Sequence, residues 1–113
     1  MLNDFDKKFD EFLKGCQKIV DEGMRNYSWR VKLSTRKGSK YIKIISEDVG
    51  KDMSNGQRVW GFVEKSNGDI LKPAHWNRPA KGNRGNIFDE DPLLFIGQYG
   101  PAYISQMKKY YGA

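Results

Sequence analysis

Residues 58–72 read RVWGFVEKSNGDILK, and this stretch predicts a β-hairpin at the centre of the fold. Two apolar runs flank Asn67-Gly68. Asn-Gly is a strong hairpin signal because both central residues of the favoured two-residue turn need a positive φ. Gly61 interrupts the first run, so it marks either a β-bulge or the close approach of another backbone segment.

A second hairpin is predicted over residues 27–45. From Tyr27 to Leu33 every second residue is apolar, as expected of a strand with one buried and one solvent-exposed face. The β-branched run KYIKII at residues 40–45 follows a short turn, and antiparallel pairing is the simplest arrangement of the two runs. The alternation favours burial of Trp29 over a role in base stacking. Residues 46–57, rich in Asp, Gly, Ser and Asn, are expected to form an exposed loop.

Helices are predicted on both sides of these strands. The first 20 residues carry apolar side chains at spacings of three and four, which is typical of an amphipathic helix. Cys16 lies on this apolar stripe and is expected to be a buried, unreactive thiol. A short helical turn is expected after Asp91-Pro92, and Gly100-Pro101 is expected to begin a final helix that closes over the sheet.

These elements together predict an α+β fold in a single domain over residues 1–113. It contains an N-terminal amphipathic helix, an antiparallel sheet of about four strands in two hairpins, an irregular basic loop and a C-terminal helix. The single cysteine excludes an internal disulfide and a multi-cysteine zinc site. With neither a signal-peptide pattern nor an apolar run approaching about 20 residues, we expect no membrane partner and a cytoplasmic location.

The positive charge is concentrated in the middle of the chain. The whole sequence has a net charge of +6, but residues 23–88 carry 14 basic and five acidic side chains, a local charge of +9. The segments before and after carry −2 and −1. Such a distribution favours a surface that attracts polyanions, although the fold could still scatter these cations over several faces.

The loop after residue 73 combines three cations with glycines, asparagines and a tryptophan, and no acidic residue lies between Ile70 and Phe88. Glycines let a ligand approach the backbone, and guanidinium groups match phosphate oxygens. The alternative is a loop held by its own fold, with Trp76 in the core and solvated cations. Candidate ligand or phosphate contacts are Lys72, His75, Trp76, Arg78, Lys81, Arg84 and Asn86. Further cations expected to face nucleic acid are Arg30, Lys32 and Lys43.

Enzymatic activity is not predicted. His75 is the only histidine, no serine lies in a nucleophile-elbow pattern, and the loop lacks both the Walker ending and a Gly-x-Gly-x-x-Gly motif. The acidic pairs at residues 47–48 and 89–91 would have to converge to hold a catalytic metal, and solvated turns explain them more simply. We therefore expect no catalytic residue, cofactor or metal.

The segment VWGFVEKSNGDILKPA at residues 59–74, followed by Trp76, PAK at 79–81 and RGNI at 84–87, resembles a group of small uncharacterised bacteriophage proteins. The resemblance covers about a third of the chain. It implies an accessory role inside an infected bacterium and no particular reaction.

Three hypotheses follow from these features. The leading one is a non-enzymatic protein that binds nucleic acid through the basic loop and the sheet cations. The second is a site for a small phosphorylated nucleotide, built from the same loop and completed by a second subunit if the protein is a homo-oligomer. The third is inhibition of a host protein through exposed aromatic residues.

Overall fold

The computed structural model describes residues 4–50 and 56–110, and it confirms the α+β fold. Two helices lie near the ends of the described chain, and a four-stranded antiparallel sheet lies between them. The helices are α1 (Asp4–Gly23) and α2 (Ile104–Tyr110). The main sheet consists of β1 (Arg30–Lys37), β2 (Tyr41–Val49), β3 (Gln57–Glu64) and β4 (Ile70–Leu71), in that order. Two small ribbons follow, formed by β5 (Pro73–His75) with β6 (Arg78–Pro79) and by β7 (Ile96–Gly97) with β8 (Gly100–Pro101).

Helix α1 covers one face of the sheet, as its apolar stripe predicts. Phe12, Cys16 and Val20 are almost fully buried against Ile44 and other residues of the strands. Burial raises the pKa of the Cys16 thiol to about 12, so the thiol stays protonated and unreactive at neutral pH. The core therefore lies between α1 and the sheet.

The side chain of Gln17 joins α1 to β1. Its Nε2 donates to the Val31 carbonyl at 2.9 Å, and its Oε1 accepts from the Leu33 amide at 2.8 Å. Strand β1 is the outer strand of the sheet, so these two backbone groups lack a strand partner on that side. One carboxamide satisfies both of them.

Both predicted hairpins are present, with two local differences. Five residues, 65–69, connect β3 to β4 in place of a two-residue turn: Glu64 N donates to Asp69 O across the connection, and Gly68 has a φ of +83°. In the other hairpin, β1 begins at Arg30, three residues later than the predicted strand. Tyr27 therefore precedes the sheet and is half exposed.

Gly61 adjoins a β-bulge, which is the first of the two roles considered for it. Strand β3 has one extra residue opposite β2, because Ile44 pairs with Gly61 whereas Ile45 pairs with Val59. A Cβ at Gly61 would also lie 3.3 Å from the Pro101 ring, so the last ribbon packs closely there.

The predicted loop over residues 46–57 is wrong at its start. Strand β2 continues to Val49, and Ser46 and Asp48 are buried within it. Polar composition suggested a loop, but pairing with β1 extends the strand through these residues. Residues 51–55 of the predicted loop lie outside the described residues.

The C-terminal part also differs from prediction. Gly100-Pro101 forms β8 rather than a helix start, and residues 91–96 form hydrogen-bonded turns without a regular helix. Helix α2 is short, and its described side chains are exposed apart from the half-buried Met107. It therefore does not close over the sheet. Within residues 4–50 and 56–110, neither helix is long and apolar enough to cross a membrane.

Candidate nucleic-acid interface

A basic cleft lies on the sheet face opposite α1, near the β1–β2 turn. It has a volume of about 410 Å³. We define the basic cleft by its lining residues Arg36, Lys37, Gly38, Ser39, Lys40, Tyr41, Lys43, Phe62 and Asn77. Ile42 and Ile44 point into the core beneath α1, so the alternation of β2 directs Lys43 to this opposite face.

Strand pairing brings the cations of the cleft together. Arg36 and Lys43 are direct partners in the β1–β2 register, so their side chains project from the same face of the sheet. The turn between the strands is held by Gly38 N donating to Tyr41 O at 2.8 Å. Lys65 holds the same turn from the next loop, donating through its Nζ to Gly38 O at 3.0 Å.

Trp76 lies over these two cations at the tip of the β5–β6 ribbon. The Lys43 Nζ is 4.4 Å from the centroid of the Trp76 ring, and the Arg36 Cζ is 5.8 Å from it. Lys43 also donates to Asn77 Oδ1 at 2.9 Å. Both cations reach the ring from the sheet, and Trp76 is still 37% exposed. The exposed part of the ring, which we call its outward face, is therefore open to a ligand.

The cations of the cleft are not paired with carboxylates of the described residues. Within the part of the chain that the structure describes, no carboxylate lies within 4.0 Å of the charged groups of Arg36, Lys37, Lys40 or Lys43. The Lys40 Nζ lies 5.4 Å from the Tyr41 ring, which repeats the pairing of a cation with an aromatic face. Arg36, Lys40 and Lys43 thus share this surface with two aromatic rings, and Lys37, which pairs with Ile42 at the end of β1, lines the cleft from its edge.

Arg84 does not belong to this surface, contrary to the sequence-based prediction. It is 5% exposed, and its guanidinium donates to the carbonyls of Ala102, Lys81 and Gly82. Burial lowers the pKa of Arg84. The side chain links the basic loop to the segment after β8, so it is occupied by the fold and does not face a ligand.

Lys72 and Asn86 are also held within the fold. Lys72 Nζ donates to Pro101 O at 2.9 Å and lies 4.2 Å from the Tyr103 ring. Burial, and secondly the charge of Arg84, lower the pKa of Lys72. Asn86 Nδ2 donates to Asn67 O and to Asp69 Oδ1. These contacts account for the positions of both side chains without a bound ligand.

The remaining predicted residues are divided between the ribbon and other surfaces. His75 and Arg78 are exposed and adjoin the ribbon tip, where His75 Nδ1 accepts from Asn77 N at 3.2 Å. Arg30 is turned to the carbonyls at residues 24, 27 and 29, so it does not extend the cleft. Lys32 is exposed on β1 opposite Glu47, and Lys81 is exposed in the loop.

A model of a family described as a family of unknown function, DUF7717, matches residues 3–94. The chain belongs to the DUF7717 family. All residues of the basic cleft, and Trp76 above it, lie within the matched part of this DUF7717 chain. Comparison with curated proteins and with solved structures gave no match.

Sequence reasoning missed three cations of the DUF7717 cleft, namely Arg36, Lys37 and Lys40. It interpreted residues 36–39 only as a turn. A signal was present, since four of the eight residues in RKGSKYIK at 36–43 are basic. Asn77 was missed as well, because only the folded ribbon shows that it accepts from Lys43.

The acidic groups of the DUF7717 chain do not converge. Among residues 4–50 and 56–110, no three His, Cys, Asp or Glu side chains are placed to hold a metal ion. The Asp48 carboxylate instead faces Arg58, with Oδ1 3.6 Å from Nη2. Asp89 accepts from the Asn86 amide at 3.0 Å through Oδ2. These acids have local structural contacts.

Proposed function

We propose that this DUF7717 chain binds nucleic acid without catalysis, through the basic cleft and the outward face of Trp76. The observation that carries the proposal is the position of Trp76 above Arg36 and Lys43, beside two further lysines that have no carboxylate within 4.0 Å in the described residues. Aromatic faces stack bases and neighbouring cations contact phosphates in sequence-tolerant binders of single strands.

The position of the cations supports a role in phosphate binding. Lys37 and Lys40 flank the turn of the β1–β2 hairpin, and both are exposed. Neither contributes to the core, so their charges are available to the backbone of a passing strand. Each phosphate neutralised in this way releases counterions and makes the affinity fall with salt.

Trp76 supports a preference for single strands. A base in a duplex must unpair and unstack before it can stack on the outward face of the ring, which costs free energy. A base in a single strand is already unpaired and avoids that cost. Arg78 and His75, which adjoin the ribbon tip, extend the contact surface beyond the cleft. The setting that we propose is an accessory role in the cytoplasm of a phage-infected bacterium, supported by the resemblance of residues 59–87.

The test is fluorescence anisotropy of a labelled single-stranded oligonucleotide over a salt series. The site variant is Lys37→Gln/Lys40→Gln. The matched control is Lys7→Gln/Lys18→Gln, which removes the same charge from exposed positions of α1 on the other side of the sheet. We expect the site variant alone to weaken binding, and its slope of log affinity against log salt to be smaller by about 1.4.

The variant Trp76→Ala separates stacking from charge. It should weaken binding about tenfold or more and leave the salt slope unchanged, because stacking contributes about 1–3 kcal/mol per base and releases no counterion.

Equal loss of affinity in the two lysine variants, Lys37→Gln/Lys40→Gln and Lys7→Gln/Lys18→Gln, would show only non-specific attraction to a basic protein. That result would refute the proposed interface.

A further inference from the structure

A second concave site lies on the helix side of the sheet, away from the basic cleft. It has a volume of about 370 Å³, within the range of small-molecule sites. Four aromatic side chains line it, contributed by Tyr27, Trp29, Trp60 and Tyr99. We call it the aromatic pocket. It lies between the segment that follows α1 and the tip of the β7–β8 ribbon.

The aromatic walls are suited to a flat ring. Tyr27 and Trp29 pack edge to face, with centroids 5.8 Å apart, and Trp60 is 4% exposed. The Trp60 Nε1 donates to Gln98 O at 3.2 Å, so the indole has its hydrogen-bond partner and offers an apolar surface to the pocket. Planar heterocycles bind such surfaces by stacking and by edge contacts.

The walls are held in place before any ligand enters. Arg30 Nη1 donates to the carbonyls of Met24, Tyr27 and Trp29, which fixes the segment that carries two of the aromatic rings. From the opposite wall, Gln98 Nε2 lies 3.4 Å from the Met24 sulfur. A site that is already ordered avoids much of the entropy cost of binding.

Among the described residues that line the pocket, Arg58 is the charged one. Arg58 lines the pocket and its side chain is 66% exposed, with Nη2 3.6 Å from Asp48 Oδ1. A guanidinium has five N–H donors, so this one long contact leaves donors for a second anion. Ser46, whose hydroxyl donates to Arg58 O at 3.4 Å, adds a small polar group to the same wall.

We propose that the aromatic pocket binds a nucleoside monophosphate, with the base between the aromatic side chains and the phosphate at Arg58. This inference does not depend on nucleic-acid binding by the basic cleft. The two sites lie on opposite faces of the sheet and share no lining residue. A pocket of about 370 Å³ is large enough for a single mononucleotide, whereas the basic cleft suits a continuous strand.

Isothermal titration calorimetry with AMP, GMP, CMP and UMP, and with the matching nucleosides, tests the proposal. We expect at least one monophosphate to bind with one ligand per chain, and ribose 5-phosphate not to bind. Arg58→Gln should weaken binding of that monophosphate about tenfold and leave binding of the nucleoside unchanged. Tyr99→Ala should weaken both, and its 82% exposure makes the substitution safe for folding.

Two controls locate the binding. Arg25→Gln removes a nearby exposed cation that does not line the pocket, and Lys37→Gln/Lys40→Gln removes two cations of the basic cleft. Both should leave mononucleotide affinity unchanged. The proposal is overturned if no monophosphate binds at millimolar concentration. It is also overturned if the lysine variant lowers affinity while Arg58→Gln does not.

Discussion

Lys43 connects the main sheet to Trp76, with its Nζ 4.4 Å from the centre of the indole ring and 2.9 Å from Asn77 Oδ1. A lysine near the start of β2 thus contacts two successive residues at the tip of the β5–β6 ribbon. The ribbon itself is only a few residues long, so its orientation depends on contacts of this kind. The position of the proposed stacking surface follows from the sheet beneath it.

Replacing Lys43 should therefore loosen the ribbon. Lys43→Met keeps the length of the side chain but removes the cation and the hydrogen bond to Asn77. We expect a loss of about 1 kcal/mol in the free energy of unfolding, measured by urea denaturation, and a red shift in Trp76 fluorescence. Lys37→Met is the control, because Lys37 is exposed at the end of β1. Equal stability of wild type and Lys43→Met would contradict this account of the ribbon.

Arg84 should act on stability rather than on ligand affinity. Arg84→Met leaves the carbonyls of Ala102, Lys81 and Gly82 without their donor in a buried place, and we expect a cost of about 3 kcal/mol. Arg78→Met removes an exposed arginine from the same loop and should cost less than about 0.5 kcal/mol. Thermal denaturation of both variants checks the difference. A fully stable Arg84→Met protein would show that the guanidinium is not a structural link.

Gly100 should not tolerate a side chain. Its φ is +116°, and a Cβ at this position would lie 2.5 Å from the backbone oxygen of Trp60. Gly100→Ala is therefore expected to destabilise the protein by about 3 kcal/mol and to displace the β7–β8 ribbon. Gly56→Ala is the matched control, since a Cβ there would meet no atom of the described residues within 4 Å. Similar melting temperatures for the two variants would contradict the close packing of this ribbon on β3.

Because the Cys16 thiol is buried, the free energy of unfolding should depend on pH in the alkaline range. Folding raises the pKa of Cys16 from 9.0 to about 12, so in this window the unfolded chain has lost a proton that the folded chain retains. Stability should therefore fall as the pH rises from 9.0 towards 12. The variant Cys16→Ala lacks this effect, so the difference in unfolding free energy between wild type and variant should shift by about 2 kcal/mol from pH 8 to pH 10.5. Urea denaturation at both values checks this, and a constant difference would refute it.

The elements that could be predicted from the sequence are those with local causes. The alternation through Leu33, the Asn67-Gly68 turn and the helical spacing around Cys16 each act within a few residues, and each gave the correct type of element. Strand ends were predicted less well, because pairing with a neighbour decides them. Ser46 and Asp48 are polar, yet pairing with β1 keeps both in β2.

The candidate site was harder to predict because charge in a sequence does not reveal which partner it meets. Arg84 and Lys37 are both basic, but one is turned to backbone carbonyls and the other lines an open cleft. Trp76 was predicted as a candidate contact from its own loop, whereas the cations beside it, Arg36 and Lys43, come from strands more than 30 positions away. Only the folded ribbon brings these three side chains together.

The Gln17 carboxamide has a consequence for association between chains. An outer strand with free backbone groups is where another chain adds by β-augmentation or where fibrils begin to grow. On β1 two such groups are already taken, because Gln17 occupies Val31 O and Leu33 N in the manner of a neighbouring peptide group. A strand that pairs with the first half of β1 has to displace Gln17 and move α1, which carries the buried side chains of Phe12 and Cys16. The helix that builds the core therefore also guards this part of the edge against templated assembly.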